Sequence, residues 1–288
     1  MASLDQIDRV VLLTGATSGV GRVAAQQFAT DGWTVIAVGR DAQAGSTLER
    51  EAEDFPGSIR FLRTDLSQSS SVRRLADQVR AEYDRLDVLA NNAGLSTGDW
   101  KKTPSGVELT MSVNHLAPFL LTYELIDLLI DADGRIITTA SEFHRRGSLD
   151  VADLWFEESF DSLDAYARSK LANIVFTFEL AQRLPDGTVA HCFHPGFVPT
   201  TGLFRDAQLH VRMAIQLAAK VPGIGTSEEA GASRLLELAT HREYGRQNGV
   251  YLGGDGPMTP DQQASDPDIR SRLWEESAAV LGIDPNWP

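Results

Sequence analysis

A glycine-rich turn near the amino terminus constrains the fold of this chain more than any other feature. The apolar run Val10-Val11-Leu12-Leu13 is typical of a strand buried on both faces. It is followed by the turn Thr14-Gly15-Ala16-Thr17-Ser18-Gly19-Val20-Gly21 and by a helix-like stretch that begins at Arg22. Glycines allow a tight turn and let backbone amides approach a pyrophosphate, whose charge the helix amino terminus favours. Strand, glycine turn and helix in this order predict a dinucleotide-binding unit.

Strand-like and helix-like segments alternate through the first two thirds of the chain. The strand-like segments after the first are 34–39, 59–62, 86–90, 135–140 and 188–193. This alternation predicts an α/β fold, a Rossmann-type three-layer arrangement around a doubly wound parallel sheet. The length of 288 residues suits one such domain, and we find no repeat or linker, so we expect a single domain over residues 1–288.

Composition excludes several classes of partner. The net charge of −14 disfavours nucleic acid and anionic membranes. No apolar run is long enough to predict a membrane span, and no secretory signal is evident at the amino terminus. Cys192 is the single cysteine, so the chain forms no internal disulfide, and we expect a cytoplasmic location. The acidic, lysine-poor composition is compatible with adaptation to high salt or with biased genome composition, and the sequence leaves both open.

Tyr166 and Lys170 are the strongest candidates for chemistry. They lie four residues apart at the start of a predicted long helix, and this spacing puts both side chains on one helix face. A cation beside a phenol favours the phenolate and lowers its pKa. The pair is therefore predicted to move a proton to or from an oxygen atom.

Thr-Gly-x-x-x-Gly-x-Gly together with Tyr-x-x-x-Lys resembles the short-chain dehydrogenase/reductase family, over about residues 8 to 255. Further motifs of the family follow in order: Asn91-Asn92-Ala93-Gly94, Asn114, Ser141 and Pro195-Gly196-Phe197-Val198-Pro199-Thr200. The gap from Ser141 to Tyr166 is about twice that of many members. With Ser169-Lys170-Leu171-Ala172-Asn173 and His194-Pro195-Gly196, this gap is similar to the retinol-dehydrogenase-like branch, whose members act on lipophilic alcohols, aldehydes and ketones.

The resemblance implies a role for each catalytic candidate. Tyr166 would transfer the proton, and Lys170 would add positive charge and bind the nicotinamide ribose. Ser141 would orient the substrate oxygen, and Asn114 would hold a water that links Lys170 to solvent. The implied cofactor contacts are Gly15, Thr17, Ser18, Gly19, Val20 and Gly21 in the turn, Asp65 and Leu66 at the adenine, Asn91, Ala93 and Gly94 along its ribose, and Tyr166, Lys170, Pro195, Gly196, Val198 and Thr200 towards the nicotinamide.

Two arginines favour NADP(H) over NAD(H). Arg40 ends the second strand-like segment, where an NAD site carries an acid for the ribose 2′-hydroxyl, and Arg22 directly follows the last glycine of the turn. Two guanidinium groups at this point are predicted to clamp a 2′-phosphate. Asp41, displaced by one residue, keeps NAD(H) as the alternative.

No metal site is predicted. His191, Cys192 and His194 lie on one strand-like segment, where successive side chains alternate between faces and do not converge.

The remaining segments to interpret are the stretch of about 200–228, the carboxyl-terminal tail and two long helices. Residues of about 200–228 resemble the family's mobile substrate lid, with a helix that only packs on the core as the open alternative. The tail of about 256–288 has no predicted role. The helices around 107–130 and 166–184 are apolar on more than one side. In many members of the family that the chain resembles such helices pair across a dimer interface, which implies a homodimer, although some retinol-type members are monomers.

The predicted function is an NADP-dependent oxidoreductase that acts on a lipophilic alcohol or carbonyl substrate. Two alternatives stay open: a binding module that senses NADP(H) without catalysis, and an epimerase or dehydratase acting on sugar nucleotides.

Overall fold

The computed structural model describes residues 9–150, 153–155, 160–199, 202 and 225–288, and within them an eight-stranded sheet carries helices on both faces. The strands are β1 (Val10–Thr14), β2 (Thr34–Gly39), β3 (Ser58–Arg63), β4 (Val88–Asn91), β5 (Arg135–Thr139), β6 (Val189–Phe193), β7 (Val250–Gly253) and β8 (Gly256–Pro257). The helices are α1 (Gly19–Thr30), α2 (Ala42–Glu51), α3 (Ser69–Glu82), α4 (Leu109–Asp131), α5 (Ser162–Arg183), α6 (Glu228–Thr240) and α7 (Pro267–Leu281). Short 3₁₀ helices cover Glu142–Arg146 and Gln262–Ser265.

The strand order is β3-β2-β1-β4-β5-β6-β7-β8, and only β8 runs antiparallel to its neighbour. The chain winds outward from β1 in one direction through β2 and β3, and in the other direction from β4. The order therefore reverses between β1 and β4, and ligands of such sheets bind outside the carboxyl ends of the strands at this switch point. The predicted doubly wound Rossmann-type fold is confirmed.

Alternation along the strands builds the three layers. On β1, Val10 and Leu12 pack against α3, α4 and α5, whereas Val11 and Leu13 pack against α1, α2 and α6. All four side chains are at most 5% exposed. A strand covered by helices on both faces must be apolar at every position, which explains the continuous hydrophobic run in the sequence.

The helix α4 is long and apolar enough, by length and composition, to cross a membrane. In this fold, however, 67% of that apolar stretch is buried. A buried core helix passes the same test, so the composition of α4 is weak evidence for a membrane span. Its first half also contains a π-helical segment, Ser112–Leu116, which the sequence predicted only as helix.

The carboxyl-terminal tail, which had no predicted role, covers α4 and α5. Trp274 on α7 is 1% exposed, and its ring centroid lies 4.8 Å from that of Phe119 and 4.5 Å from that of Trp287. Its indole N–H donates to the carbonyl oxygen of Pro285 at 2.8 Å. Phe176 on α5 stacks on the same indole. The chain's own tail therefore covers part of the apolar surface from which a homodimer was predicted, and the homodimer stays a prediction.

Replacing Trp274 with alanine should lower the free energy of unfolding by about 3–5 kcal/mol, because a large buried side chain leaves a cavity among aromatic neighbours. Urea unfolding followed by circular dichroism measures this change. Trp100→Ala is the matched control, since Trp100 is 43% exposed and its loss should change the stability by less than about 1 kcal/mol. An equal loss of unfolding free energy in the two variants would contradict a stabilising role for the packing of the tail.

Candidate active site

A cavity of about 780 Å³ lies along the carboxyl ends of β1 to β6. It extends from the glycine turn after β1, past the ends of β2 and β3, to the start of α5 and the segment after β6. The predicted site residues that line it are Gly15, Thr17, Ser18, Gly19, Val20, Gly21, Arg40, Asp65, Leu66, Ala93, Gly94, Ser141, Tyr166, Lys170, Pro195, Gly196 and Val198. Thr200 and nearly all of the predicted lid at about 200–228 lie outside the described residues. The fold thus brings most of the predicted set into one cavity.

The glycine turn has the backbone that a pyrophosphate requires. Gly15 and Gly19 have positive φ angles of 70° and 56°, which other residues rarely adopt. A Cβ atom at Gly21 would meet the carbonyl oxygen of Gly15, so α1 packs against the turn only with glycine there. Ser18 is the N-cap residue of α1, but its side chain accepts no hydrogen bond from the first amide N–H groups of the helix. These amides and the helix dipole fit the phosphates of a dinucleotide.

Thr14 and Asn92 brace this turn from the neighbouring strand. The Thr14 hydroxyl accepts hydrogen bonds from the backbone N–H groups of Asn92 and Ala93, both at 3.0 Å. The Asn92 side chain donates to the Thr14 carbonyl oxygen at 3.0 Å. Thr14 lies in the glycine-turn motif and Asn92 in the Asn-Asn-Ala-Gly motif, but neither had a role predicted from the sequence.

Asn91, which was predicted to contact the cofactor, does not line the cavity in this structure, and its contact stays a prediction. Asn91 is the last residue of β4, 2% exposed, and its amide donates to Thr122 on α4 rather than facing the cavity. Asn92 lines the cavity instead. Strand alternation explains the difference, because Asn91 shares the face of Leu89, which packs on the same helix layer.

Of the two arginines predicted to clamp a 2′-phosphate, one lines the cavity in this structure, and the contact of Arg22 with the cofactor stays a prediction. Arg40 lines the cavity at the end of β2, whereas the Arg22 guanidinium lies 2.6 Å from the Glu51 carboxylate and does not line the cavity. Asp41, the residue that kept NAD(H) open, uses a carboxylate oxygen to accept from the amides of Gln43 and Ala44 at the start of α2. Among the described residues, Arg40 is therefore the cation that lines this end of the cavity.

Asp65 is ionised beside Arg40. Burial acts to raise the pKa of Asp65. Hydrogen bonds from Ser67 and Gln68 and the charge of Arg40 lower the pKa and together outweigh burial, so the net pKa lies below the ordinary value. The carboxylate is thus prepared to accept a hydrogen bond at the cavity wall. This geometry suits the adenine contact that the resemblance implied for Asp65.

Tyr166, Lys170 and Ser141 meet at the inner end of the cavity. Tyr166 is 5% and Lys170 2% exposed, and the ammonium nitrogen lies 5.8 Å from the centroid of the phenol ring. Lys170 donates to the carbonyl oxygen of Thr139 at 2.9 Å. Ser141, two residues beyond that carbonyl, hydrogen-bonds the Tyr166 hydroxyl. The predicted helix-face pair is confirmed as a geometric pair.

The predicted lowering of the Tyr166 pKa is wrong for this structure. Burial raises the pKa of Tyr166 to about 12, and the hydrogen bond with Ser141 offsets this only in part. Burial also lowers the pKa of Lys170 to about 8. Both shifts have one cause, since a buried site disfavours the charged form of each group.

Asn114 connects the loop after β4 to α5. Its side-chain oxygen accepts from the amide of Leu95, and its amide donates to the carbonyl oxygen of Leu95 and to the Ser169 hydroxyl, all at 2.9 Å. Asn114 lies in the π-helical segment, a feature that often marks functional sites. Its role in holding a water stays a prediction.

The substrate end of the cavity has both apolar and charged walls. The apolar residues are Leu95, Val113, Phe143, Leu163, Phe197 and Val198, and the charged or titratable ones are Glu142, Arg146 and His194. None of these three polar residues was predicted from the sequence as a site residue. Glu142 and Arg146 lie just after Ser141 in the sequence, and this proximity was the available signal.

The described residues contain no group of three or more metal-binding side chains. Of the triplet considered above, the His191 ring lies 2.8 Å from the Tyr244 carbonyl oxygen, and His194 accepts from the amide of Gly196. Cys192 is buried.

The buried Lys170 should make stability depend on pH. Between the lowered pKa of about 8 and the ordinary value of about 10.5, the unfolded chain holds a proton that the folded chain has released, so the free energy of unfolding rises with pH. We expect the stability of the wild type, relative to Lys170→Met, to rise by about 2 kcal/mol from pH 7.5 to 9.5. Urea unfolding of the cofactor-free proteins measures the difference, and a flat difference would contradict the lowered pKa.

Comparisons with known proteins identify the family of this chain. The family model for short-chain dehydrogenases matches residues 9–210. Mouse retinol dehydrogenase 13 is 34% identical over 285 residues, which cover 96% of this chain and 84% of that protein. A Streptomyces protein named as a candidate daunorubicin C-13 ketoreductase is 35% identical, covering 95% of this chain and 93% of that protein.

Solved structures agree with the sequence relatives. An uncharacterised protein of Mycobacterium paratuberculosis has a TM-score of 0.78 and 30% identity, covering 96% of this chain and 94% of its own. A candidate short-chain dehydrogenase of Shigella flexneri, in complex with NADP, has a TM-score of 0.68 and 26% identity, covering 86% and 97%. The chain belongs to the short-chain dehydrogenase family, on its retinol-dehydrogenase-like side, and is an oxidoreductase that acts on CH–OH or C=O groups.

Proposed function

We propose that this protein uses NADP(H) to interconvert an alcohol and a carbonyl group on a substrate with a lipophilic body, and that Tyr166 transfers the proton. The observation that carries the proposal is the hydrogen-bonded pair of Tyr166 and Ser141 beside the buried Lys170, at the inner end of the cavity.

The nicotinamide ring, when bound, gives or takes the hydride. Ser141 holds the substrate oxygen next to the Tyr166 hydroxyl, and Lys170 would bind the adjoining ribose. With a pKa of about 12, Tyr166 keeps its proton at neutral pH and donates it to the alkoxide that forms in carbonyl reduction. An alkoxide is a much stronger base than a phenolate, so this transfer is favourable. In the reverse direction the same oxygen must first lose its proton.

Arg40 supports NADP(H) over NAD(H). Its guanidinium lies at the end of β2, where an NAD site carries an acid, and Asp41 caps α2 instead. The NADP complex of the Shigella flexneri protein supports the same choice. Arg22 pairs with Glu51 in this structure and adds no support to the choice of NADP(H).

The apolar wall of the cavity and two relatives support the substrate class. Phe143, Leu163 and Phe197 provide carbon surface for a lipophilic body. The relatives' names point to retinol and to daunorubicin, a polycyclic ketone. A homodimer and a cytoplasmic location stay predictions.

Tyr166→Phe should lower kcat for aldehyde or ketone reduction by at least about 100-fold, because the variant removes the transferred proton and keeps the ring. NADPH absorbance measures turnover across a panel of aldehydes and ketones, and NADPH fluorescence checks that the cofactor still binds. Tyr123→Phe is the matched control, since this tyrosine packs on Trp287, away from the cavity. Equal activity of Tyr166→Phe and wild type would refute the assignment.

A wild-type protein that binds NADPH but turns over no member of the panel would instead support the sensing module. A gain of activity with sugar nucleotides alone would support the epimerase or dehydratase.

Arg40→Ala should weaken NADP binding by about 10- to 100-fold and change NAD binding little, because a charge-assisted hydrogen bond to the 2′-phosphate is lost. Calorimetric titration with each cofactor measures both constants. Arg22→Ala removes the same charge from the neighbouring position, where it pairs with Glu51, and should change both constants equally. Tighter binding of NAD than NADP by the wild type would overturn the preference.

A further inference from the structure

The 3₁₀ helix Glu142–Arg146 separates its charged side chains onto two faces. Residues three apart eclipse each other in a 3₁₀ helix. Glu142 accordingly lies beside Arg145, with 2.5 Å between carboxylate and guanidinium. Phe143 lies beside Arg146, whose guanidinium carbon is 5.1 Å from the phenyl centroid. His144, between them, is buried, and its ring contacts the carbonyl oxygen of Ser141 at 2.7 Å.

The charge of Glu142 is compensated locally. Besides Arg145, its carboxylate faces the Tyr251 hydroxyl at 3.4 Å and the His194 ring at 3.7 Å. Arg145 also donates to the carbonyl oxygen of Thr259 at 2.9 Å, which holds its guanidinium on that face. Glu142 and Arg145 therefore already have charged or polar partners and do not need a charged group of a ligand.

Arg146 differs from Arg145 in this respect. It lines the cavity and is exposed, and within the described ranges it has no carboxylate at ion-pair distance. Its contact with Phe143 holds the guanidinium over an aromatic face, as cations prefer. The substrate end of the cavity thus contains a positioned cation whose charge is available to a ligand.

The spacing of Tyr166, Phe143 and Arg146 along the cavity wall determines how far apart the reacting oxygen and the anionic end of a ligand would be. The Phe143 ring centroid lies 6.1 Å from that of Tyr166, and the guanidinium carbon of Arg146 lies 5.1 Å from the same phenyl centroid. A substrate whose reacting oxygen is at Tyr166 would pass its body over Phe143 and bring its far end to Arg146. The spacer that fits this path is apolar and about the size of one aromatic ring.

We propose that Arg146 binds an oxyanion on the substrate, so that the substrate is an aldehyde, a ketone or the matching alcohol with an apolar spacer and an anionic end. The planar guanidinium pairs with a carboxylate or phosphate through two hydrogen bonds. This inference rests on the proposed function and narrows its substrate class from lipophilic to amphiphilic.

The test compares 4-formylbenzoate with its methyl ester, which has the same spacer and carbonyl but no charge. The wild type should have a higher kcat/KM for the acid than for the ester. Arg146→Gln should lower kcat/KM for the acid by roughly 10- to 100-fold, mainly through KM, and leave the ester within about twofold. Arg146→Lys should restore part of the loss. Added salt should raise KM for the acid only, because the arginine is exposed.

Arg246→Gln is the matched control, because it removes an exposed arginine just before β7, at the opposite end of that strand from the cavity. It should change neither substrate's constants. No preference of the wild type for the acid, or equal losses with acid and ester in Arg146→Gln, would overturn the proposal. Turnover of the ester with no charge effect leaves the proposed function intact.

If neither compound is turned over, the panel of aldehydes and ketones still decides the proposed function, and calorimetry of 4-(hydroxymethyl)benzoate with the NADP-loaded protein decides the role of Arg146. Binding that Arg146→Gln weakens tenfold or more supports it, and binding that this variant leaves unchanged, or no binding, overturns it.

Discussion

The geometry of the active site depends on one acceptor, the carbonyl oxygen of Thr139 at the end of β5. It accepts hydrogen bonds from the Lys170 ammonium at 2.9 Å and from the Asn173 amide at 3.2 Å, and these bonds tie α5 to the sheet. A buried ammonium without an acceptor would cost several kcal/mol, so this contact makes the burial of Lys170 tolerable. Ser141 lies two residues beyond the same carbonyl, and Tyr166 lies one helical turn before the lysine. A single contact therefore brings the hydroxyl and the phenol together.

The carboxyl-terminal tail supports this arrangement from the far side of α4. His115, next to Asn114 in the π-helical segment, lies 2.9 Å from the hydroxyl of Ser277 on α7. Ser277 donates its own proton to the Leu273 carbonyl oxygen, so the histidine is the donor in this pair. Burial lowers the pKa of His115 to about 3 and keeps the ring neutral. The tail thus fixes the neighbour of Asn114 as well as covering the apolar helices.

Sequence patterns predicted the features that depend on residues close together in the chain. The apolar run at Val10 to Leu13, the glycines of the turn and the spacing of Tyr166 and Lys170 each follow from backbone geometry, and the structure keeps all of them. The structure departs from the expectations in where side chains point and in how deeply they are buried. Arg22 lies next to the turn in sequence, yet it pairs with Glu51 on α2, a tertiary contact that no local pattern contains. The Tyr166 pKa failed for a similar reason, because the extent of burial depends on elements distant in the chain.

Charge is distributed unevenly between the surface and the cavity. With a net charge of −14, the protein as a whole repels an anionic cofactor, and local cations must offset this field where phosphates bind. Arg40 does so at the end of β2, beside Asp65, whose own charge is satisfied by Ser67 and Gln68. At the opposite end, Glu142 is neutralised by Arg145, which leaves Arg146 as the cation that a ligand meets. An apolar wall alone would bind any lipophilic body, whereas a cation held over Phe143 distinguishes ligands by charge. Because that contact is made at a fixed distance from Tyr166, it also determines which carbonyl of a larger molecule reaches the phenol.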